Sequence, residues 1–212
     1  CSGPSSRRAD GGAECLGSKA MVSCGLPAPE GGLPMAQLSV SPGVRWSRVV
    51  GAGVTLHPPI LIEDRMRLAV VVGQREVWVL DVATGLGGSV FRAGTEFLGN
   101  LSADGQGRLY VASSARVYAL TLEGAIRWSF PLEPPVGEFP GVPDVTISPT
   151  GLFVPSPEGR LYKLDLSDGR VLWSAKLKFD GNQQVVGRVD TAYMPTLDQG
   201  LVALNEQSGK VR

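Results

Sequence analysis

Short apolar runs alternate with polar turns that contain glycine or proline along most of the chain. The stretch "LYKLDLSDGRVLW" (Leu161–Trp173) is typical, with an alternating run, an aspartate, a glycine and a second apolar run. Alternation of apolar and polar residues over about 4–8 positions predicts a strand with one buried face. No long segment shows the period of an amphipathic helix. The pattern therefore predicts an all-β protein.

The same unit recurs four times. A leucine near the end of each second run marks the copies, and these leucines are 40, 44 and 40 residues apart (Leu80, Leu120, Leu164 and Leu204). Another apolar run begins 11 or 12 residues before each leucine. We expect the two runs to form a hairpin, preceded by a less regular strand and followed by a third. Four-stranded units that repeat every 40–45 residues or so are typical of β-propeller blades.

Each hairpin is followed by a turn with a fixed chemistry. An Asp or Asn side chain can bond to backbone amides two residues further on, and this place is held by Asp81, Asp165 and Asn205. A glycine that permits positive φ then closes the turn in all four copies, at Gly85, Gly124, Gly169 and Gly209. The recurrence favours a turn former over a catalytic acid.

A tryptophan follows the turn glycine by four residues in two copies, Trp128 and Trp173. Trp46 follows Gly43 by three residues in an earlier, partial copy. A blade buries both faces only against its neighbours, and large aromatic side chains fill the space between blades. We therefore interpret these tryptophans as packing residues between blades.

The remaining composition limits the partners. The 20 basic and 20 acidic residues give no formal net charge, which argues against a nucleic acid partner. No run of 18 apolar residues occurs, so no membrane-spanning helix is predicted. Residues 1–36 are rich in Gly, Ser, Pro and Ala and are predicted to be a flexible tether, whereas 37–212 hold the repeats.

The three cysteines all lie in the predicted tether. The start at Cys1, followed by small polar residues, resembles a mature bacterial lipoprotein, in which this cysteine carries the lipid. Cys15 and Cys24 then form an even pair, which either closes a short disulfide loop in an oxidising compartment or remains as free thiols. A zinc site is not expected, because the single histidine, His57, is distant in sequence.

The repeat resembles the pyrroloquinoline-quinone-like (PQQ-like) propeller family from about residue 40 onward. "LDLSDGRVLW" (Leu164–Trp173) matches the family pattern of Asp, turn glycine and tryptophan. The copy at Leu80 has Ser89 where tryptophan is expected, and the turn before Gly124 is one residue shorter. The last copy ends one residue before its tryptophan.

The resemblance implies propellers of seven or eight blades, so we expect an open arc of about three to four blades. In this interpretation "SPGVRWSRVV" (Ser41–Val50) is the outer strand of a blade whose inner strands lie outside the sequence. The alternative is a closed four-bladed ring, in which Val44–Val50 pairs with Leu201–Leu204. However, "SGKVR" (Ser208–Arg212) already begins an outer strand of its own and so duplicates Ser41–Val50, which favours the open arc.

The family contains two functional classes. The quinone-dependent dehydrogenases hold a quinone over a tryptophan and bind calcium through acidic and amide side chains, and many carry a pair of adjacent cysteines. The non-catalytic class includes propeller lipoproteins of the bacterial outer-membrane β-barrel assembly machinery. This sequence has no adjacent cysteines and no acidic cluster beyond the turn aspartates and "IED" (Ile62–Asp64), which we interpret as a solvated turn.

We therefore expect a scaffold with no catalytic residues and no cofactor. It is expected to bind another protein or a polymer of the Gram-negative cell envelope, in the periplasm or at the outer membrane. Membrane contact is expected only through a lipid on Cys1. The alternatives are a fragment of a quinone-dependent dehydrogenase and the ligand-sensing propeller of a receptor.

Overall fold

The computed structural model describes residues 43–51, 54–94, 96–133, 141–156, 158–179, 183–188 and 190–212. The predicted tether, with Cys1, Cys15 and Cys24, lies outside them. The chain divides into two compact units, Cys1–Ser47 and Arg48–Arg212. The described residues of the first unit, Gly43–Ser47, are irregular, and all described strands belong to the second.

The described part of the second unit is almost entirely β-structure, as the alternating pattern predicts. Its only helix is one short 3-10 turn, Glu63–Arg65. The first blade contains β1 (Ile60–Ile62), β2 (Arg67–Val72), β3 (Glu76–Asp81) and β4 (Gly87–Arg92). The second contains β5 (Ser102–Ala103), β6 (Leu109–Ala112), β7 (Arg116–Leu120) and β8 (Ile126–Pro131). The third contains β9 (Thr146–Ser148), β10 (Gly151–Ser156), β11 (Arg160–Leu164) and β12 (Val171–Lys176), and the fourth β13 (Val186–Arg188), β14 (Thr191–Thr196) and β15 (Gly200–Asn205).

Each blade is an antiparallel sheet whose strands follow one another in chain order. The second and third strands form the predicted hairpin in the same register in every blade, with the pairs Leu68–Leu80, Leu109–Leu120, Leu152–Leu164 and Ala192–Leu204. The first strands contact one another in order, β1 with β5, β5 with β9 and β9 with β13. The blades are therefore arranged around an axis along which their first strands lie.

In the described blades the core consists of three apolar clusters, one at each junction between neighbouring blades. Successive residues of a central strand point into different clusters: Leu152 packs towards the second blade and Phe153 towards the fourth. The central strand β10 is therefore buried along its whole length. This explains why its sequence is a continuous apolar run rather than an alternating one.

The fourth blade leaves one face open. Tyr193 and Leu201 occupy the register positions of Phe153 and Leu161, which are fully buried in the third blade. Their exposed fractions are 41% and 68%. The apolar face that the next blade covers at the other junctions is thus exposed here, and the described blades form an open arc.

The strand predicted over Ser41–Val50 is wrong for the described residues Gly43–Val50, because these residues are irregular. A segment becomes a strand only through ladder hydrogen bonds, and no strand pairing in the described part of the chain includes these residues. The pairing of β15 is with β14, and Leu204 also bridges Val211, where the next strand of the fourth blade would begin. The ring pairing of Val44–Val50 with Leu201–Leu204 is therefore not present.

Two tryptophans bind one blade to the turn of the next. The Trp128 indole Nε1 donates a hydrogen bond to the Leu166 carbonyl oxygen at 3.1 Å. Its ring lies so close to Gly169 that a Cβ at this glycine would be 2.5 Å from a ring carbon. The glycine is thus required both for its φ of +75° and for the flat approach of the indole. The same arrangement recurs one blade later with Trp173, Glu206 and Gly209.

The junction between the third and fourth blades carries an additional buried ion pair. The Lys163 ammonium donates to the Glu206 carboxylate at 3.2 Å and to the Glu206 carbonyl at 2.9 Å, and both side chains are almost fully buried. Burial alone raises the pKa of Glu206, but hydrogen bonds from Ser148, Thr150 and Lys163 outweigh burial and hold this pKa below its ordinary value. The carboxylate is therefore ionised at neutral pH and depends on Lys163 for its counter-charge.

Replacement of Trp173 by Ala should lower the free energy of unfolding by about 3–5 kcal/mol, because a large buried ring is removed and a hydrogen bond is lost. Leu172→Ala is the matched control, since Leu172 is 40% exposed on the same strand and its loss should cost at most about 0.5 kcal/mol. Denaturant unfolding measures both. Equal small losses in the two variants would show that the indole does not hold the blades together.

Replacement of Lys163 by Ala should cost about 3–5 kcal/mol, because it leaves the Glu206 carboxylate buried without a counter-charge. The double variant Lys163→Ala with Glu206→Leu copies the residues of the preceding junction, Ala119 and Leu166. It should recover most of this loss in a denaturant double-mutant cycle. A double variant no more stable than Lys163→Ala would contradict the assignment.

Candidate functional site

The repeat residues occupy structural positions in the described blades. Their leucines are buried, at Leu80, Leu120, Leu164 and Leu204. The carboxylate Oδ1 of Asp165 accepts the backbone N–H of Ser167 at 2.8 Å, and Asp81 and Asn205 accept equivalent bonds. All four turn glycines have positive φ, at Gly85, Gly124, Gly169 and Gly209. Trp46 lies half-buried in the irregular segment Gly43–Val50.

The junction between the first and second blades departs from the other two. In strand register, Val79 pairs with Gly88, whereas Ala119 pairs with Trp128. The missing tryptophan is therefore replaced by Gly88 rather than by Ser89, the residue that counting from the turn glycine indicates. The reason is that the register shift of the first blade falls two pairs further along its outer hairpin, between Val77 and Trp78, whereas that of the second blade falls between Ala119 and Leu120.

The short turn of the second blade faces this same junction. The Gly124 N–H bonds to the Thr121 carbonyl, three residues back, whereas the Gly169 N–H bonds to Asp165, four residues back. A Cβ at Gly124 would lie 1.9 Å from the Val90 carbonyl oxygen. Backbone of β4 therefore lies against the turn glycine, where an indole ring lies at the other junctions. The two departures from the repeat pattern thus meet in space.

A cleft of about 1090 Å³ opens at this junction. The turns β1–β2 and β3–β4 of the first blade and the turns β5–β6 and β7–β8 of the second contribute to its walls. Gly87 and Gly88 line it from β4, and a Cβ at Gly88 would meet nothing within 4 Å. The absent side chain of Gly88 is therefore one reason that this space stays open.

Charged side chains dominate the walls. Four arginines line the cleft, Arg65, Arg67, Arg108 and Arg127, together with three acids, Asp64, Asp81 and Glu123. The "IED" segment predicted as a solvated turn contributes Asp64 to this set, from the exposed 3-10 turn. None of these residues was indicated as a site by the sequence, because they come from separate turns that only the fold brings together.

Two of the four cleft arginines, Arg67 and Arg108, form ion pairs. Arg67 donates to the Asp81 carboxylate at 2.6 Å. Arg108 pairs with Asp104, which does not itself line the cleft. Burial alone raises the pKa of Asp104, but hydrogen bonds from Arg108, Tyr110 and the Gln106 backbone hold it below its ordinary value.

Two acids of the cleft, Asp81 and Glu123, are ionised at neutral pH. Hydrogen bonds from Thr84, and to a smaller extent the Arg67 guanidinium, lower the pKa of Asp81. A hydrogen bond from Thr121 lowers the pKa of Glu123, and the charge of Arg65 adds to this effect. The cleft therefore presents fixed charges of both signs rather than a uniformly basic surface.

A second polar cluster lies beside the axis. The His57 Nδ1 is 2.9 Å from the Asn100 Oδ1, and the Asn100 amide donates to Asp144 at 2.8 Å. Since the Asn100 nitrogen faces Asp144, its oxygen accepts the proton of His57 Nδ1. This chain of hydrogen bonds, from His57 through Asn100 to Asp144, links the first three blades. The sequence did not predict it, because His57 is the single histidine and has no partner nearby in sequence. The 44-residue spacing of Asn100 and Asp144, which precede equivalent strands, was the available signal.

The polar side chains of this axial cluster form their hydrogen bonds with one another. Both oxygens of Asp144 accept bonds from Asn100, one from the side chain and one from the backbone. Within the part of the chain that the structure describes, no group of three or more His, Cys, Asp or Glu side chains is placed to hold a metal ion. The charged cleft is therefore the stronger candidate for a site.

Comparison with known proteins supports the fold. The crystal structure of BamB from Moraxella catarrhalis superposes with a TM-score of 0.54 at 20% identity, over 73% of this chain and 49% of that one. Sqt1 from Saccharomyces cerevisiae gives 0.58 at 13% identity, over 69% and 43%. The computationally designed protein Ika4 gives 0.57 at 10% identity, over 74% and 95%. No curated protein sequence matches significantly.

The chain spans about half of the length of the Moraxella protein. At these identities the structural matches establish the fold alone. The sequence itself matches the family model described as outer membrane protein assembly factor BamB over residues 73–212, which covers three of the four hairpins and the second strand, β3, of the first. The chain therefore belongs to this BamB-like family of PQQ-like propeller repeats.

Proposed function

We propose that the protein is a non-catalytic binding module of the bacterial cell envelope, which holds another envelope protein while outer membrane proteins are assembled. The observation that carries this proposal is the charged cleft between the first two blades. Of the three junctions between the described blades, it opens at the one that lacks the docking tryptophan. Rigid blades that present turns around such a cleft suit recognition of a partner and need no catalytic groups.

The family supports an envelope location, since the matching model is described as an outer membrane protein assembly factor. We propose that the protein acts in the periplasm or at the outer membrane of a Gram-negative bacterium. A lipid on Cys1 and the tether of residues 1–36 would hold the propeller near the membrane surface. No helix among the described residues is long and apolar enough to cross a membrane.

The runner-up is a fragment of a quinone-dependent dehydrogenase. The feature that favours it is the amide and acid pair Asn100 and Asp144 beside the axis, because calcium in proteins is held by oxygen ligands. Both Asp144 oxygens are already occupied by Asn100 hydrogen bonds, so binding calcium there would require this pair to separate. The geometry therefore favours the binding module.

A photo-crosslinking side chain at Gly88 should capture an envelope protein in cells of the source bacterium. Gly88 points into open space at the cleft and its φ lies outside the left-handed region, so a benzoyl-phenylalanine is accommodated without backbone strain. Gly94 is the matched control, because it is equally open but does not line the cleft. Adducts that form equally at both positions, or only with cytosolic proteins, would contradict the proposed function.

Titration with pyrroloquinoline quinone and calcium should give no saturable heat of binding. The reason is that the oxygen ligands beside the axis are paired with each other. Calorimetry on the purified protein measures this directly. A saturable quinone signal that depends on calcium would favour the dehydrogenase instead.

A further inference from the structure

Two arginines of the cleft carry uncommitted hydrogen-bond donors. Among the described residues, the ion pairs of the cleft arginines are those of Arg67 and Arg108, and neither Arg65 nor Arg127 forms one. Arg65 comes from the β1–β2 turn and Arg127 from β8, so the two approach the cleft from different blades. A guanidinium presents several N–H groups in a rigid fork that matches a carboxylate in geometry and charge.

The neighbouring acids restrict which anions fit. Asp64 and Glu123 line the same cleft, and they repel a ligand that carries closely spaced negative charges. A nucleic acid or a phosphate polymer brings such charges along its whole length. A protein segment, in contrast, can place one acidic side chain against an arginine and neutral residues against the acids. The mixture of charges therefore favours a polypeptide over a polyanion.

The dimensions suit a short extended segment. The cleft volume of about 1090 Å³ lies slightly above the range of ordinary ligand pockets, roughly 300–1,000 Å³, and exceeds what one side chain fills. The lining at Gly87 and Gly88 has no side chains, so the backbone of a bound segment can approach β4 closely. The second and third junctions have a tryptophan at the position of Gly88, which closes this approach.

We propose that the cleft between the first and second blades binds an extended segment of a partner protein through an acidic side chain, whose carboxylate is held by Arg65 and Arg127. This inference rests on the proposed function and adds to it the chemistry of the partner. The glycines of β4 receive the backbone of the segment. The acids Asp64 and Glu123 select for segments whose remaining residues are neutral or basic.

A phage-displayed library of random dodecapeptides, selected on the whole purified protein, tests the proposal without knowledge of the natural partner. Selected peptides should be enriched in Asp and Glu relative to the unselected library. Their affinity should fall about 10–100-fold in Arg127→Glu, the range for loss of a charged hydrogen bond. It should also fall with added salt.

Two glycine variants localise the binding. Gly88→Trp places in the cleft the side chain that the other junctions carry, and it should abolish peptide binding while the protein keeps a cooperative thermal unfolding transition at a melting temperature no lower than that of the parent. Gly94→Trp should leave binding intact, because this position is open but outside the cleft. Peptides without acidic enrichment, or binding that survives Gly88→Trp, would overturn the proposal. So would tight binding of polyphosphate that Arg127→Glu abolishes, because the ligand would then be a polyanion.

The two proposals fail separately. Crosslinks from Gly88 to an envelope protein, together with peptides that lack acidic residues, would leave the binding function standing and overturn only the partner chemistry. Acidic peptides that bind at the cleft, without any envelope adduct in cells, would overturn the envelope function. In that case the binding of acidic peptides at the cleft would remain established, but its role in the cell envelope would not.

Discussion

The contact of an indole ring with a turn glycine is the interaction on which this arc of blades depends. A single blade is a sheet with two apolar faces and cannot bury both by itself. The Trp128 and Trp173 rings fix each outer strand against the next blade, and each indole N–H bonds to a turn carbonyl. The apolar clusters at the second and third junctions lie between the blades that these two rings join, and each cluster contains the ring of its own junction.

The three junctions use this principle in different ways. At the second junction the Trp128 indole and the Tyr110 hydroxyl both donate to the Leu166 carbonyl of the turn, and the residue paired with the tryptophan is the small Ala119. The third junction adds the buried ion pair of Lys163 and Glu206. If the turn of the next blade carried leucine in place of Glu206, the Lys163 ammonium would be buried without a counter-charge, so this pair suits only a neighbour with an acid at that position. The first has neither device and is closed by the backbone of β4, which leaves the charged cleft open beside it. The candidate site is thus the place where the repeat pattern is broken.

The repeat architecture could be predicted from the sequence because it depends on local patterns. Leucine spacing, turn aspartates and turn glycines gave the hairpins and their order. The replacement of tryptophan by Gly88 rather than Ser89 could not be predicted, because it depends on where the register shifts within an outer hairpin. The strand expected at Ser41–Val50 failed for its described residues because a pattern cannot show whether a pairing partner is present.

The cleft itself could not be predicted from the sequence, since Arg65 and Arg127 are 62 positions apart and line the same cleft only because two blades stack. The most direct test of the account is native-state hydrogen exchange of the outer strands. Amides of β4, which has no docked indole, should exchange well ahead of those of β8 and β12, because local opening there breaks fewer contacts. Equal protection of the three outer strands would contradict the central role of the docked tryptophans.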